Sequence, residues 1–211
     1  MPEPILFDYW RSSASYRVRI ALALKNIGYS AIGVDLAAGA QGEDAYRTGN
    51  PQGFVPMLEI DGRRFTQSLA IIDYLDATRP DPPLLPADAG DAALVRSLAL
   101  AIACDIHPLN NLRVLKYLNG PLGQDDAGKQ AWIARWIVDG FAALEAMATP
   151  CAGRFLVGDT PTLADICLVP QVYNARRFEV DLSPFPLLVA ADAAAAAHPA
   201  FAAAHPDRAR G

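Results

Sequence analysis

The sequence has few of the features that mark secreted, membrane-embedded or nucleic-acid-binding proteins. Its three cysteines in 211 residues, Cys104, Cys151 and Cys167, lack the spacing of a disulfide framework or a metal site. No basic segment precedes an apolar one near the N-terminus, and no uninterrupted apolar run of the roughly 18 residues that span a bilayer is expected. The net charge of −5, without a basic stripe, argues against nucleic acid as a partner. We therefore predict a cytoplasmic protein with reduced thiols and no nucleic-acid, membrane or metal partner.

A proline-rich stretch divides the chain into two parts with different secondary-structure patterns. Residues 79–88 hold four prolines and cannot form regular structure. Before them, strand-like and helix-like patterns alternate in the order β-α-β-α-β-β-α, and after them alanine- and leucine-rich patterns predict helices. We predict an α/β domain over residues 1–82 and an all-helical domain over residues 89–211. The last residues, 199–211, lose apolar content and are expected to fray.

The predicted helices of the second domain are separated by proline-containing turns. They cover residues 91–117, 126–148, 163–176 and 185–198. Thr162 and Asp165 form the Thr-x-x-acid pattern of a capping box at the start of the third of these helices. We interpret this pattern as structural, and Asp165 is not a catalytic candidate.

A serine cluster stands where the first predicted strand turns into the first predicted helix. Ser12, Ser13 and Ser15 follow a short apolar run and precede a long run of good helix formers. Helix N-termini leave backbone N–H groups without partners and attract anions. Two interpretations stay open at this point: ordinary helix capping, or a site that holds and activates a sulfur anion. Arg17 and Arg19 of the same helix are expected to be structural ion-pair partners.

Several segments, taken in order, resemble the zeta class of glutathione transferases, the class that includes maleylacetoacetate and maleylpyruvate isomerases. The most specific are the Ser-Ser-x-Ser-aromatic-Arg-Val-Arg run from Ser12 and the Leu-Val-Pro-Gln run from Leu168. The matches cover nearly the whole chain, in residues 11–22, 50–52, 55–56, 67–72, 105–111, 168–172 and 177–182. The resemblance implies a thioredoxin-like first domain, a cis peptide bond between Val55 and Pro56, and a homodimer.

The resemblance also implies glutathione as the cofactor and assigns residues to it. Ser12 and Ser13 would surround its sulfur at the helix N-terminus and favour the thiolate. The backbone of Val55 would pair with its cysteinyl unit. Further cofactor-binding positions are Gln41, Gln67, Ser68, His107, Asn110 and Asn111.

The substrate that the resemblance implies is a small dicarboxylate with a cis double bond. Addition and later loss of the glutathione thiolate would make that bond single, allow rotation and regenerate the cofactor. Planar guanidinium groups suit the two carboxylates. The resemblance makes Arg11, Arg113 and Arg177 catalytic candidates beside the two serines, with Arg176 as an alternative to Arg177.

One residue departs from the family pattern. Many members carry cysteine where this sequence has Ala14, so a mechanism that needs a protein thiol there is excluded, whereas isomerisation uses the sulfur of the cofactor. A transferase that conjugates glutathione to electrophilic xenobiotics is an alternative, and it predicts an apolar substrate pocket. A non-catalytic association module is another, and it predicts lost glutathione contacts. The choice between maleylacetoacetate and maleylpyruvate also stays open.

Overall fold

The computed structural model describes residues 2–210, which fold into two compact units. The first comprises the described residues up to Pro83 together with the segment that begins at His198, and the second is Leu84–Ala197. The strands are β1 (Ile5–Asp8), β2 (Ser30–Gly33), β3 (Met57–Ile60) and β4 (Arg63–Thr66). The α-helices are α1 (Ser13–Leu24), α2 (Asp44–Arg47), α3 (Ser68–Thr78), α4 (Ala89–Leu100), α5 (Leu112–Asn119), α6 (Asp126–Ala148), α7 (Leu163–Arg177), α8 (Pro186–Ala196), α9 (Pro199–Ala203) and α10 (Pro206–Ala209).

The first unit is built on a four-stranded sheet in the order β2-β1-β3-β4. β1 runs parallel to β2 and antiparallel to β3. β3 and β4 form a hairpin across Asp61 and Gly62, which both have positive φ. Leu6 of β1 pairs with Leu58 of β3, and both are fully buried, as is Leu75 of α3. The predicted order of strands and helices, and with it the predicted fold class, is confirmed.

The loop before β3 contains the cis Val55–Pro56 bond that the family resemblance predicts. Pro56 directly precedes the strand, where its missing N–H removes no hydrogen bond from the sheet. The side chain of Val55 is buried, which fixes this end of the loop on the core. A second cis bond joins Asp81 to Pro82 in the proline-rich stretch, and no sequence pattern predicted it.

The second unit is helical, as predicted. Ile137, Phe141 and Leu168 are fully buried where α6 and α7 contribute to its core. α6 approaches the segment after α4 so closely that a Cβ at Gly140 would stand 2.4 Å from side-chain atoms of Ile106. Packing therefore requires glycine at this position.

The first predicted helix of this unit, residues 91–117, is interrupted. After α4 the chain forms a π-helical segment, Ala101–Ile106, and a 3₁₀ turn, His107–Asn110, before α5 begins. Pro108 accounts for the break. It has no N–H to donate to the carbonyl four residues earlier, and its ring would clash with that carbonyl in a regular α-helix. Asn111 then caps α5, which starts a new helix within the predicted one.

The helical run Ala89–Asn119, which includes these segments, is long and apolar enough by length and composition to cross a membrane. Asp91, Arg96 and Asp105 interrupt its apolar residues, so it is not an uninterrupted apolar segment. Val95, Leu98 and Ile102 are fully buried within the second unit. A core helix of a globular domain has the same composition, so these apolar residues are accounted for by packing within the unit.

The C-terminal segment does not fray, contrary to the sequence expectation. It forms α9 and α10, and α9 packs against α1 of the first unit. Phe201 is 1% exposed and Ala204 is also buried. The alanine-rich composition of residues 199–210 concealed Phe201, the large apolar side chain that anchors the segment.

The capping box at the start of α7 is confirmed. The Thr162 hydroxyl accepts from the Ala164 N–H at 3.2 Å. The Asp165 carboxylate accepts from the Thr162 N–H at 2.9 Å and from the Leu156 N–H at 2.8 Å. Asp165 is fully buried, and this burial raises its pKa to about 6 even though these groups donate to it.

Asp165→Ala should lower the free energy of unfolding by about 1–3 kcal/mol, because the helix loses a cap and the buried Leu156 N–H loses its acceptor. The raised pKa makes the stabilisation by Asp165 complete below pH 3.8 and progressively lost as the pH rises through about 6. When urea unfolding is measured across this pH range, the difference in the free energy of unfolding between wild type and Asp165→Ala should decrease as the pH rises. Asp73→Ala, which removes an exposed carboxylate of α3, should change stability by less than about 0.5 kcal/mol. If the difference in free energy of unfolding between wild type and Asp165→Ala does not change with pH, burial does not raise the pKa of Asp165.

Candidate active site

The turn from β1 to α1 carries the two serines that the sequence analysis made catalytic candidates. Ser12 is the N-cap of α1: its N–H donates to the Tyr9 carbonyl at 2.8 Å, and its hydroxyl accepts from the Ser15 N–H at 3.2 Å. Ser13 is the buried first residue of the helix. Because the first turn of a helix has N–H groups without intrahelical acceptors, this end also favours an anion. The two interpretations of the serine cluster are therefore compatible.

Arg11 directly precedes the cap and is exposed. Its Nη2 donates to the Tyr9 hydroxyl at 2.9 Å, and its Cζ lies 4.8 Å from the centre of the Trp10 ring. Both contacts orient the guanidinium with uncharged groups. Arg11 therefore adds a positive charge to the same turn that the helix dipole already makes electropositive.

Ser68, the first residue of α3, is joined to α1 by a buried hydrogen bond. Its hydroxyl oxygen accepts from Arg17 Nη1 at 3.1 Å, and both residues are buried. Because the oxygen accepts from Arg17, the hydroxyl hydrogen can be donated to an anion at the N-terminus of α3. No sequence pattern predicted this contact, because the two residues lie 51 positions apart.

Gln67, which precedes Ser68, has a strained backbone and a fixed side chain. Its φ is 68°, in a region that residues with a Cβ seldom adopt. Its Nε2 donates to Gln52 Oε1 at 2.6 Å. The Asn50-Pro51-Gln52 motif was part of the family resemblance, but no role was predicted for Gln52. Here it orients a predicted cofactor-binding residue.

Gln41 lies in the 3₁₀ turn Ala40–Gly42. Its Oε1 is buried and has no hydrogen-bond partner within residues 2–210. The loop that leads to Val55 passes close by at Gly53, whose φ is 63° and where a Cβ would stand 2.8 Å from the Gln41 carbonyl oxygen. Glycine thus permits the close approach of these two loops, and Gln41 retains an amide oxygen that a ligand could use.

The remaining cofactor-binding candidates lie in the second unit, around the turn before α5. His107 begins the 3₁₀ turn and is partly exposed. Asn110 is 9% exposed, and neither atom of its side-chain amide has a hydrogen-bond partner in the described part of the chain. Asn111 caps α5 by accepting from the Arg113 N–H at 3.2 Å, and the Arg113 side chain is exposed. Asn110 therefore has amide groups available for a ligand, whereas Asn111 has a capping role of its own.

The adjacent arginines at the end of α7 differ in their contacts. Arg176 Nη1 lies 2.6 Å from the buried carboxylate of Asp192. The Cζ of Arg177 lies 4.5 Å from the centre of the Phe178 ring, and its side chain is exposed. Arg176 is therefore bound to a carboxylate of its own unit, and Arg177 lies against an aromatic ring.

The turn that carries the serines, residues 9–15, contains no cysteine. The three cysteines are free thiols and belong to the second unit. Among the described residues, no cluster of three or more His, Cys, Asp or Glu side chains could hold a metal ion. A sulfur bound beside Ala14 is therefore not supplied by a residue of the turn itself.

Comparison with known proteins identifies the class of protein to which the chain belongs. Residues 6–83 match the model of the glutathione S-transferase N-terminal domain, and residues 130–206 match that of the C-terminal domain. A maleylacetoacetate isomerase of Rhizobium meliloti (strain 1021) is 53% identical over 99% of this chain and 98% of its own length. A maleylpyruvate isomerase of Ralstonia sp is 48% identical over 95% of this chain and 96% of its own.

Solved structures agree with this assignment. The holo structure of a maleyl pyruvate isomerase, described as a bacterial zeta-class glutathione S-transferase, has a TM-score of 0.95 and 48% identity, with 97% of each chain covered. A maleylacetoacetate isomerase from Anaeromyxobacter dehalogenans 2CP-1 with bound glutathione has a TM-score of 0.88 and 45% identity, with 98% of this chain and 96% of that chain covered. This chain belongs to the maleylacetoacetate and maleylpyruvate isomerase family of zeta-class glutathione transferases.

Proposed function

We propose that this protein is a glutathione-dependent cis–trans isomerase that converts maleylacetoacetate or maleylpyruvate to the fumaryl isomer. The observation that carries the proposal is the turn from β1 to α1. It combines a serine-capped helix N-terminus with an adjacent exposed arginine and has Ala14 in place of a protein thiol. Such a turn can stabilise the sulfur of a bound cofactor but cannot supply one.

The described residues fit glutathione as that cofactor. Ser68 has a hydroxyl that Arg17 polarises at the N-terminus of α3, which suits the γ-glutamyl carboxylate. Gln67 is held by Gln52 beside it. Val55 precedes β3 and would pair its backbone with the cysteinyl unit. The buried Oε1 of Gln41 and the buried side-chain amide of Asn110 lack partners among the described residues, which supports additional contacts.

Ser12 and Ser13 are proposed to hold the cofactor sulfur as a thiolate. Hydroxyl groups, backbone N–H groups and the dipole of α1 all favour the charged form, so they lower the pKa of a bound thiol from its ordinary value of about 8.5. When bound, glutathione supplies the nucleophile that adds to the substrate double bond, permits rotation and is then expelled. Arg11, at the same turn, stabilises the negative charge that develops on the substrate.

Arg113 and Arg177 are proposed to bind the carboxylates of the substrate. Each is exposed, and a guanidinium can bind a carboxylate through two parallel hydrogen bonds. A substrate with a carboxylate at either end needs more than one such group. The presence of two exposed arginines at these positions favours the isomerase over a transferase that accepts apolar electrophiles.

Arg177→Ala should lower kcat/KM for the cis substrate about 100-fold, because a charge-stabilising donor is lost. The dissociation constant for glutathione, measured by calorimetry, should stay unchanged. Arg176→Ala is the matched control: it removes the neighbouring arginine, whose contact is with Asp192, and should leave both constants close to wild type. An equal loss of glutathione binding in Arg177→Ala would mean that Arg177 contacts the cofactor instead.

Arg17→Met should weaken glutathione binding about tenfold, because Ser68 loses the donor that orients its hydroxyl toward a charged group. Methionine has a similar length and no hydrogen-bond donor, so the packing of α1 is largely kept. Calorimetry with glutathione tests this change, and Arg63→Met on the exposed face of β4 is the control. Unchanged affinity in Arg17→Met would show that Arg17 supports only the fold.

The proposed activity is tested by following the absorbance of maleylpyruvate and maleylacetoacetate with and without glutathione. We expect turnover that requires glutathione and does not consume it, and the two rates rank the substrates. If neither is converted and a chlorinated aromatic compound is conjugated instead, the protein is a conjugating transferase.

We also propose that the enzyme is a homodimer and that it acts in the cytoplasm, on small molecules alone. The family assignment supports the dimer, and the free cysteines support a reducing compartment. Light scattering that gave the mass of a single 22.6 kDa chain would exclude the dimer.

A further inference from the structure

The C-terminal segment, residues 198–210, packs against the helix that begins at the serine turn. α9 lies on α1, and Phe201 and Ala204 are buried there. The Ala204 carbonyl, which follows α9, accepts a hydrogen bond from Arg19 Nε at 3.1 Å. The segment therefore supplies a polar contact to a buried charged side chain in addition to apolar packing.

Arg19 connects four parts of the first unit. Its Nη1 donates to both carboxylate oxygens of Asp8, each at 2.8 Å, at the end of β1. Its Nη2 donates to the Trp10 carbonyl at 2.9 Å, and its Nε donates to Ala204. The Arg19 side chain is 1% exposed. Every nitrogen of this buried guanidinium thus has an acceptor, and the C-terminal segment provides one of them.

The groups that Arg19 holds flank the turn that carries the serines. Asp8 and Trp10 stand on either side of Tyr9, whose carbonyl accepts from the Ser12 N–H at 2.8 Å. A shift of the Trp10 carbonyl would move Tyr9 and, through this bond, the N-cap. The position of Ser12 therefore depends on Arg19.

The C-terminal residues also contact the aromatic side chains around the turn. The Cζ of Arg210 lies 4.8 Å from the centre of the Trp10 ring, the same distance as the Cζ of Arg11. The His205 ring meets the Tyr16 ring edge to face, with 6.1 Å between their centres. The contact with Arg210 holds the side chain of Trp10, whose carbonyl is held by Arg19, and the contact with His205 holds Tyr16 of α1.

We infer that residues 204–210 are a positioning element for the sulfur-activating turn, acting through Arg19 and Trp10. The inference rests on the proposed function in that the turn is taken to bind the glutathione sulfur. Loss of the segment leaves Arg19 Nε without its acceptor and allows the guanidinium to leave the Trp10 carbonyl. Ser12 then no longer has a single position, and the thiolate loses part of its stabilisation.

The test is a variant that ends after Ala203. It keeps α9 and Phe201, which cover the apolar face of α1, and removes the Ala204 carbonyl, His205 and Arg210. We expect faster hydrogen exchange of the amides in residues 9–15, a higher pKa of the bound glutathione thiol, measured by thiolate absorbance against pH, and a kcat about tenfold lower. A folded variant with wild-type exchange in residues 9–15 and a wild-type thiol pKa would overturn the inference.

A second pair of variants in the full-length protein covers the case in which the shortened chain does not fold. Arg210→Ala removes the contact with Trp10, and Arg208→Ala removes an exposed arginine of α10 as its control. We expect faster exchange at residues 9–15 in Arg210→Ala only, and equal exchange in the two would overturn the inference. Exchange is measured without glutathione, so it tests the positioning role separately from the proposed function. If exchange at residues 9–15 is faster in Arg210→Ala only, but the protein does not bind glutathione, the proposed function is disproved and the positioning role is retained.

Discussion

The first unit depends on one buried ion pair, between Arg19 and Asp8. Removing two charges from water is costly, and the cost is offset only when the remaining donors also find acceptors. Here the Asp8 carboxylate, the Trp10 carbonyl and the Ala204 carbonyl together satisfy the guanidinium. This requirement joins the end of β1, the serine turn, the middle of α1 and the C-terminal segment. Although the turn is a connection between a strand and a helix, hydrogen bonds to a buried charge therefore hold it on the core.

The same turn shows why a capping residue can also serve a binding site. The Ser12 hydroxyl accepts from the Ser15 N–H, and this bond fixes the start of α1. Once the helix start is fixed, the other N–H groups of its first turn point in one direction, which is the requirement for stabilising an anion with little reorganisation. Arg17 has a comparable effect on Ser68 at the start of α3. In both cases a structural hydrogen bond orients a group that remains able to bind.

The parts of the fold that local patterns determine were predictable, and the parts that long-range contacts determine were not. The alternation of strands and helices, the Asp61-Gly62 hairpin and the capping box at Asp165 follow from residues near one another in sequence. The bond from Arg19 to Ala204 joins residues 185 positions apart, and no periodicity reports it. Fraying was predicted for residues 199–211, of which Gly211 lies outside the described residues. For residues 199–210 the prediction was wrong for this reason, because composition describes the segment but not the surface of α1 against which it packs. The cis bond before Pro56 was predicted by family resemblance and not by local physics.

Neighbouring residues of one type can have different functions, and the arginines at the end of α7 illustrate how the structure separates them. Sequence could not choose between Arg176 and Arg177, because consecutive positions on a helix differ by about 100° in direction. The buried carboxylate of Asp192 binds the first, and the guanidinium of the second lies against the Phe178 ring. A guanidinium stacked on an aromatic ring keeps its hydrogen-bond donors at its edge, where a ligand carboxylate can reach them. The two arginines thus differ in what they contact, and only the structure distinguishes them.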